Sequence, residues 1–142
     1  PEVMEQRNLK LLQKYAKVKE NEVRFEAVGC EDADYIFVAF GSAARISEKA
    51  MELAREEGLK VGLFRPITLW PFPEKQIAEL AKGKKGILSV EINAGQMVED
   101  VKLATNGIVP VEHFGRLGGI VPDPEEIVAS LKENIKNGRF NG

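Results

Sequence analysis

Val61-Gly62-Leu63-Phe64-Arg65-Pro66-Ile67-Thr68-Leu69-Trp70-Pro71-Phe72-Pro73 reads as a strand, a proline-rich elbow and the start of a helix. Val61, Leu63 and Phe64 put apolar groups on both alternating faces, which suits a strand covered on each side. Arg65 closes that run with a charge, and Pro73 fits the first turn of the helix that follows. A second stretch, Leu88-Ser89-Val90-Glu91-Ile92-Asn93-Ala94-Gly95-Gln96-Met97, has the same plan. Buried strands alternating with helices imply a parallel sheet, and such sheets meet ligands and partners at the carboxyl ends of their strands.

The pattern extends in both directions. Tyr35 to Phe40 is six apolar residues in a row and ends at Gly41-Ser42, where Ser42 is placed to cap a helix by accepting a backbone N–H. That helix lines up Ile46, Ala50, Leu53 and Ala54 opposite Arg45, Glu48, Lys49, Glu52, Arg55 and Glu56, and Gly58 supplies its left-handed stop. Beyond the elbow, Ile77, Leu80 and Ala81 form the buried side of the next helix. Strand Ile87–Ile92 then leads to a helix on which Met97, Val101 and Ala104 align, closed by Asn106-Gly107. The last strand, Ile108–Phe114, holds Pro110, which cannot donate to a central ladder and so belongs near its beginning or at an edge. Asp123-Pro124-Glu125-Glu126 is a helix start with a cap, a first-turn proline and a reciprocal acid, and Ile127, Val128, Leu131 and Ile135 follow as the buried stripe up to Gly138.

Val23 to Ala27 alternates apolar and polar, as an antiparallel edge strand with one wet face would. Before it, Leu11, Tyr15 and Val18 share a helical face, so residues 1–21 are expected to form a connecting helix and residues 22–142 the α/β domain. Because the chain opens on Pro1 and this helix, it is expected to be a piece of something larger. The expected fold is a three-layer α/β/α sandwich around a mostly parallel five-stranded sheet with one antiparallel edge strand.

Composition excludes several functions. At 142 residues the chain makes one domain, able to bury roughly 70% of the surface its unfolded form exposes. Net charge is −2, from 20 basic and 22 acidic residues spread along the sequence, so no basic face invites nucleic acid. No apolar run approaches the ~20 residues needed to cross a bilayer, and the charged N-terminus is unlike a signal peptide, so a cytoplasmic location and no membrane partner are expected. The single Cys30 can neither form an internal disulfide nor supply the four thiolates of an iron–sulfur cluster. It also lacks an electropositive setting that would lower a thiol pKa. His113, the only histidine, has no nucleophile and acid placed by sequence to form a triad with it. No catalytic residue and no metal ligand is assigned.

Gly41, Ser42, Arg65, Glu91, Asn93, Gly95, Gln96 and Arg116 all fall at or just past successive strand ends. Each alone is an ordinary connector; their shared edge marks a candidate contact face for another protein domain or a small molecule. The helix starts after Ser42 and after Gly95 present N–H groups suited to a phosphate or carboxylate, although the sequence has neither Gly-x-Gly-x-x-Gly nor a P-loop. Arg65 and Glu91 both end apolar strands, where a charge needs a partner, and a mutual ion pair across neighbouring strand ends would provide one. Trp70 and Phe72 either cover a helix end or anchor a partner.

Taken together, Phe37 to Ser42 with Ala44-Arg45, Gly58 to Leu63, Arg65 to Pro73, Glu91-Ile92-Asn93 with Gly95-Gln96-Met97, and Gly115-Arg116-Leu117-Gly118-Gly119 resemble the C-terminal, transketolase-like domain of the alpha subunit of 2-oxoacid:ferredoxin oxidoreductases. The resemblance runs from about Asp32 to about Ser130. It implies a parent enzyme in which thiamine diphosphate with magnesium decarboxylates a 2-oxoacid, iron–sulfur clusters pass electrons to ferredoxin, and coenzyme A takes the acyl group. It implies as partners the thiamine-diphosphate-binding beta subunit, the gamma and ferredoxin-like subunits and the upstream part of the alpha subunit. The Gly-Asp-Gly diphosphate signature and the cysteine clusters are missing here, so this stretch is expected to bind no cofactor, to be inactive alone, and to act in assembly. The rival expectation is a stand-alone α/β module binding an anion or nucleotide.

Overall fold

Alternation of apolar runs and two-faced helices produces a single five-stranded sheet with helices on both sides. A computed structural model of the chain describes residues 23–68, 71–92, 96–115 and 120–141. The expected connecting helix over residues 1–21 lies outside them. The elements are β1 (Phe25–Val28), β2 (Tyr35–Val38), α1 (Ser42–Glu56), β3 (Val61–Pro66), α2 (Glu74–Ala81), β4 (Gly86–Glu91), α3 (Gln96–Thr105), β5 (Val111–Gly115) and α4 (Pro124–Lys136).

The strands lie in the order β1-β3-β2-β4-β5. β3, β2, β4 and β5 run parallel, and β1 pairs antiparallel with β3. The four-residue β2 in the middle is buried throughout, as its unbroken apolar run requires. Its side chains alternate between two cores. Tyr35 and Phe37 join Val61, Leu63, Leu88 and Val90 under α1 and α4, whereas Ile36 and Val38 join Phe64 and Ile87 under α2 and α3. Fully burying a side chain such as Phe37 or Leu88 contributes about 1.5–3 kcal/mol, so the two cores fix which helix lies on which face.

From β2 the chain turns through α1 to β3 on one side; from β4 it turns through α3 to β5 on the other. The neighbours β2 and β4 therefore flank the point where the winding reverses, and the crevice at their carboxyl ends is where open α/β sheets meet ligands.

Several local readings change. Ser42 does not cap α1: the helix begins at Ser42, and Gly41, at φ 61°, is the cap residue without a side-chain bond. A left-handed φ is where glycine is favoured. Pro73 caps α2 rather than opening it. β5 starts at Val111, because Pro110 lies just ahead of the ladder and spends its carbonyl on the N–H of Ile87. β1 is an edge strand, but all four of its residues are exposed, so both faces are wet. At α4 the reciprocal acid is present: the N–H of Asp123 donates to Glu126 Oε1 at 2.9 Å.

Candidate functional site

Glu91, the last residue of β4, is a carboxylate 3% exposed at the reversal point. It needs donors there, and the chain provides them six and seven residues later. The N–H of Met97 donates to Oε1 at 3.0 Å and the N–H of Val98 to Oε2 at 3.1 Å. These are first-turn amides of α3, which have no partner inside the helix, and the positive end of the helix dipole favours a carboxylate. Strand end and helix start are thereby tied together. From the adjacent β5, His113 brings Nδ1 to 3.7 Å from Glu91 Oε2, with its side chain one-third exposed.

The expected Arg65–Glu91 ion pair is not formed, because β2 lies between β3 and β4. Two strand spacings separate the two ends by roughly 10 Å. Arg65 turns instead to its antiparallel neighbour and donates from an Nη to Glu26 Oε1 at 3.1 Å, both side chains being partly exposed. Of the expected contact face, Gly41, Ser42, Arg65 and Glu91 do lie along the carboxyl edge of the sheet. Asn93, Gly95 and Arg116 lie outside the described residues, as do Trp70 and the side chain of Gln96. Phe72 is buried with Phe64, Ile77 and Met97, so it covers the core rather than presenting an anchor.

The same edge carries three apolar side chains that periodicity did not single out. Ile67 follows β3 and is half exposed; Ile120 and Val121, just ahead of α4, are 58% and 57% exposed. They sit among connectors, where no helix or strand period marks which face they take. Glu91 missed assignment as a helix anchor for a different reason: its partners are backbone amides, which leave no residue signature.

At the opposite edge an open groove of about 650 Å³ is lined by residues including Cys30, Asp32, Glu79 and Lys84. Lys84 and Asp32 in its lining, and Arg55 next to Asp32, serve the fold. Lys84 Nζ donates to the carbonyls of Cys30 and Ala33 at 2.7 and 2.9 Å, and Arg55 donates to the carbonyls of Val61 and Gly29, each at 2.8 Å. The Arg55 hydrogen bond holds the carboxyl of Asp32 below its usual range, and Asp32 in turn raises Arg55. Burial pushes the Cys30 thiol up to about 11, against the pull of Lys84. A thiol so placed is not a nucleophile at neutral pH.

The two helix starts on the carboxyl edge differ in what their amides face: no side chain caps α1. The amides at the start of α3 that would receive a phosphate already hold Glu91. Among the described residues no three His, Cys, Asp or Glu side chains converge for a metal ion, and none of the described helices is long and apolar enough to cross a membrane.

Comparison with known proteins places this geometry. The family described as pyruvate:ferredoxin oxidoreductase core domain II matches residues 33–127. The ketoisovalerate oxidoreductase subunit VorB of Methanothermobacter marburgensis is 45% identical over 130 residues, covering 92% of this chain and 37% of the relative. The 2-oxoglutarate synthase subunit KorA of the same organism is 36% identical over 101 residues, covering 71% of this chain and 27% of its own length. The chain thus spans about a third of the length of the curated relatives it matches. Among solved structures, the 2-oxoglutarate:ferredoxin oxidoreductase from Magnetococcus marinus, with 2-oxoglutarate, coenzyme A and succinyl-CoA bound, superposes at a TM-score of 0.70 with 30% identity, covering 79% of this chain and 20% of that one. A split-gene transketolase shares the fold at a TM-score of 0.64 with 16% identity, covering 80% of this chain and 41% of that one.

Proposed function

The chain belongs to the pyruvate:ferredoxin oxidoreductase core domain II family, and on that premise we propose that it is the C-terminal assembly domain of the alpha subunit of a 2-oxoacid:ferredoxin oxidoreductase. Residues 22–142 form this transketolase-like domain and residues 1–21 connect it to the rest of the subunit. The intact cytoplasmic enzyme uses thiamine diphosphate with magnesium, iron–sulfur clusters and coenzyme A to oxidise a 2-oxoacid and reduce ferredoxin. Those groups are held by other parts, and this domain alone is inactive.

The observation that carries the reading is the make-up of the carboxyl edge. Its helix-start amides at α3 are satisfied internally by Glu91, and elsewhere on the same edge Ile67, Ile120 and Val121 are left in water. A helix start closed to anions at α3, on an edge that also exposes apolar side chains, suits contact with protein better than capture of a nucleotide there.

The test is co-purification of the chain with the thiamine-diphosphate-binding subunit encoded by the same source. Stable association that Ile120→Asp with Val121→Asp abolishes, while the thermal melt stays unchanged, supports the reading. A chain that never associates with that subunit or with the upstream alpha region overturns it.

A further inference from the structure

β1 is an edge strand of the sheet, exposed along its whole length and packed, among the described residues, chiefly on β3. Its register on β3 decides what that edge offers. Arg24 uses its carbonyl to accept the N–H of Ile67 at 2.9 Å, and Phe25 stands opposite Pro66, which has no N–H to give. In an antiparallel ladder hydrogen-bonded and non-bonded pairs alternate. Arg24 and Glu26 therefore turn their backbone groups toward β3, whereas Val23, Phe25 and Ala27 point N–H and C=O away from the sheet. Phe25 is also 40% exposed while stacked on Phe64 with ring centroids 5.2 Å apart.

We infer that this edge pairs with β1 of a second copy of the chain, antiparallel about a two-fold axis through Phe25, joining two five-stranded sheets into one. The register follows from charge. With the axis at Phe25, Arg24 of each copy lies directly opposite Glu26 of the other, Phe25 meets Phe25, and Val23 faces Ala27. With the axis at Glu26, two carboxylates would oppose each other, and with the axis at Ala27, Glu26 would face the apolar Val28. Opposite charges facing across strands stabilise a pair and like charges disfavour it. The outward backbone groups of Val23, Phe25 and Ala27 find partners only in this odd-numbered set, so backbone and side chains select the same alignment. The two Phe25 rings extend the stack already begun by Phe64. Charges on an edge commonly block such pairing; here their order along the strand makes them self-complementary. Four residues a side bury less than the roughly 1,200 Å² of a stable complex, so the association is weak and concentration-dependent. It does not depend on the assembly role proposed above.

Sedimentation velocity on the chain tests this. The wild type is expected to move from monomer to dimer between about 10 µM and 1 mM, the range in which small interfaces associate. Arg24→Glu and Glu26→Arg each place like charges across the axis, and each should shift the midpoint to at least tenfold higher concentration. An equimolar mixture of the two variants restores opposite charges at both positions, so a heterodimer should reappear near the wild-type midpoint. Ala27→Pro, which removes an outward N–H, should weaken dimerisation without lowering the melting temperature by more than a few degrees. A wild type that stays monomeric, a dimer indifferent to both charge variants, or a mixture no heavier than either variant alone would overturn the inference.

Discussion

Glu91 Oε1 accepts the backbone N–H of Met97 at 3.0 Å, across six residues that carry the chain from the end of β4 to the start of α3. With Val98 on the other oxygen, one side chain fixes the angle at which strand meets helix.

Glu91→Ala leaves two helix-start amides without their acceptor and opens a void at the sheet edge. The expected loss is about 2–4 kcal/mol, combining an unsatisfied-donor cost with lost packing. Glu91→Gln retains one good acceptor and should cost about half as much, as read by urea denaturation. A neutral Glu91→Ala would mean that the amides are satisfied from elsewhere.

Gly62 sits where β3 passes the turn after β1. A Cβ there would lie 2.8 Å from both the Cα of Cys30 and the carbonyl oxygen of Gly29. Both are backbone atoms and cannot rotate aside. Gly62→Ala is therefore expected to destabilise by about 1–3 kcal/mol through overpacking, whereas Gly83→Ala, with no atom within 4 Å of the added carbon but a φ of +77°, should cost about 1 kcal/mol from backbone strain alone. Thermal melts of the two variants measure the difference.

Arg55 and Asp32 contribute to the acid side of the stability profile. Because the guanidinium lowers the Asp32 carboxyl in the folded state, the stabilisation is present above the unfolded carboxylate value near ~pH 4 and is lost as pH falls through the lower folded value. Asp32→Asn should lower the neutral-pH melt only slightly, since the carboxylate is exposed, and should flatten the wild type's decline between about pH 4 and pH 2 by the same small amount. An identical acid limb in the two proteins would contradict the pairing.

Cys30 contributes on the alkaline side. Its folded value of about 11 lies above the ordinary 9.0, so its contribution is complete below pH 9.0 and disappears as pH rises toward 11. Cys30→Ala should decline less over that interval. In the native wild type the thiol should also resist a disulfide reagent at pH 8 and react fully once urea unfolds the chain; rapid labelling of the native protein would show that burial does not protect it.

Much of the fold was legible because each strand and helix obeys a single period. Tyr35–Val38 could only be a covered strand, and the stripe Ile127, Val128, Leu131 could only be the inner face of a helix. What escaped was strand order. Pairing Arg65 with Glu91 assumed that β3 and β4 are neighbours, and nothing in either strand reveals that β2 inserts between them. The helix start at Ser42 misled for a local reason: a residue able to cap stands next to a glycine whose positive φ lets it take the cap position instead. In the candidate face, the glycines and charges at strand ends were visible as punctuation, whereas the amide partners of Glu91 and the exposure of Ile67, Ile120 and Val121 depend on three-dimensional placement.

Hydrogen–deuterium exchange on the chain alone and in complex with the thiamine-diphosphate-binding subunit tests the central claim most directly. The account predicts new protection concentrated at the carboxyl edge, in peptides spanning Ile67, the β4–α3 junction and Ile120-Val121, with the groove around Asp32 and Lys84 unchanged. Protection confined to that groove, or none anywhere, would contradict it.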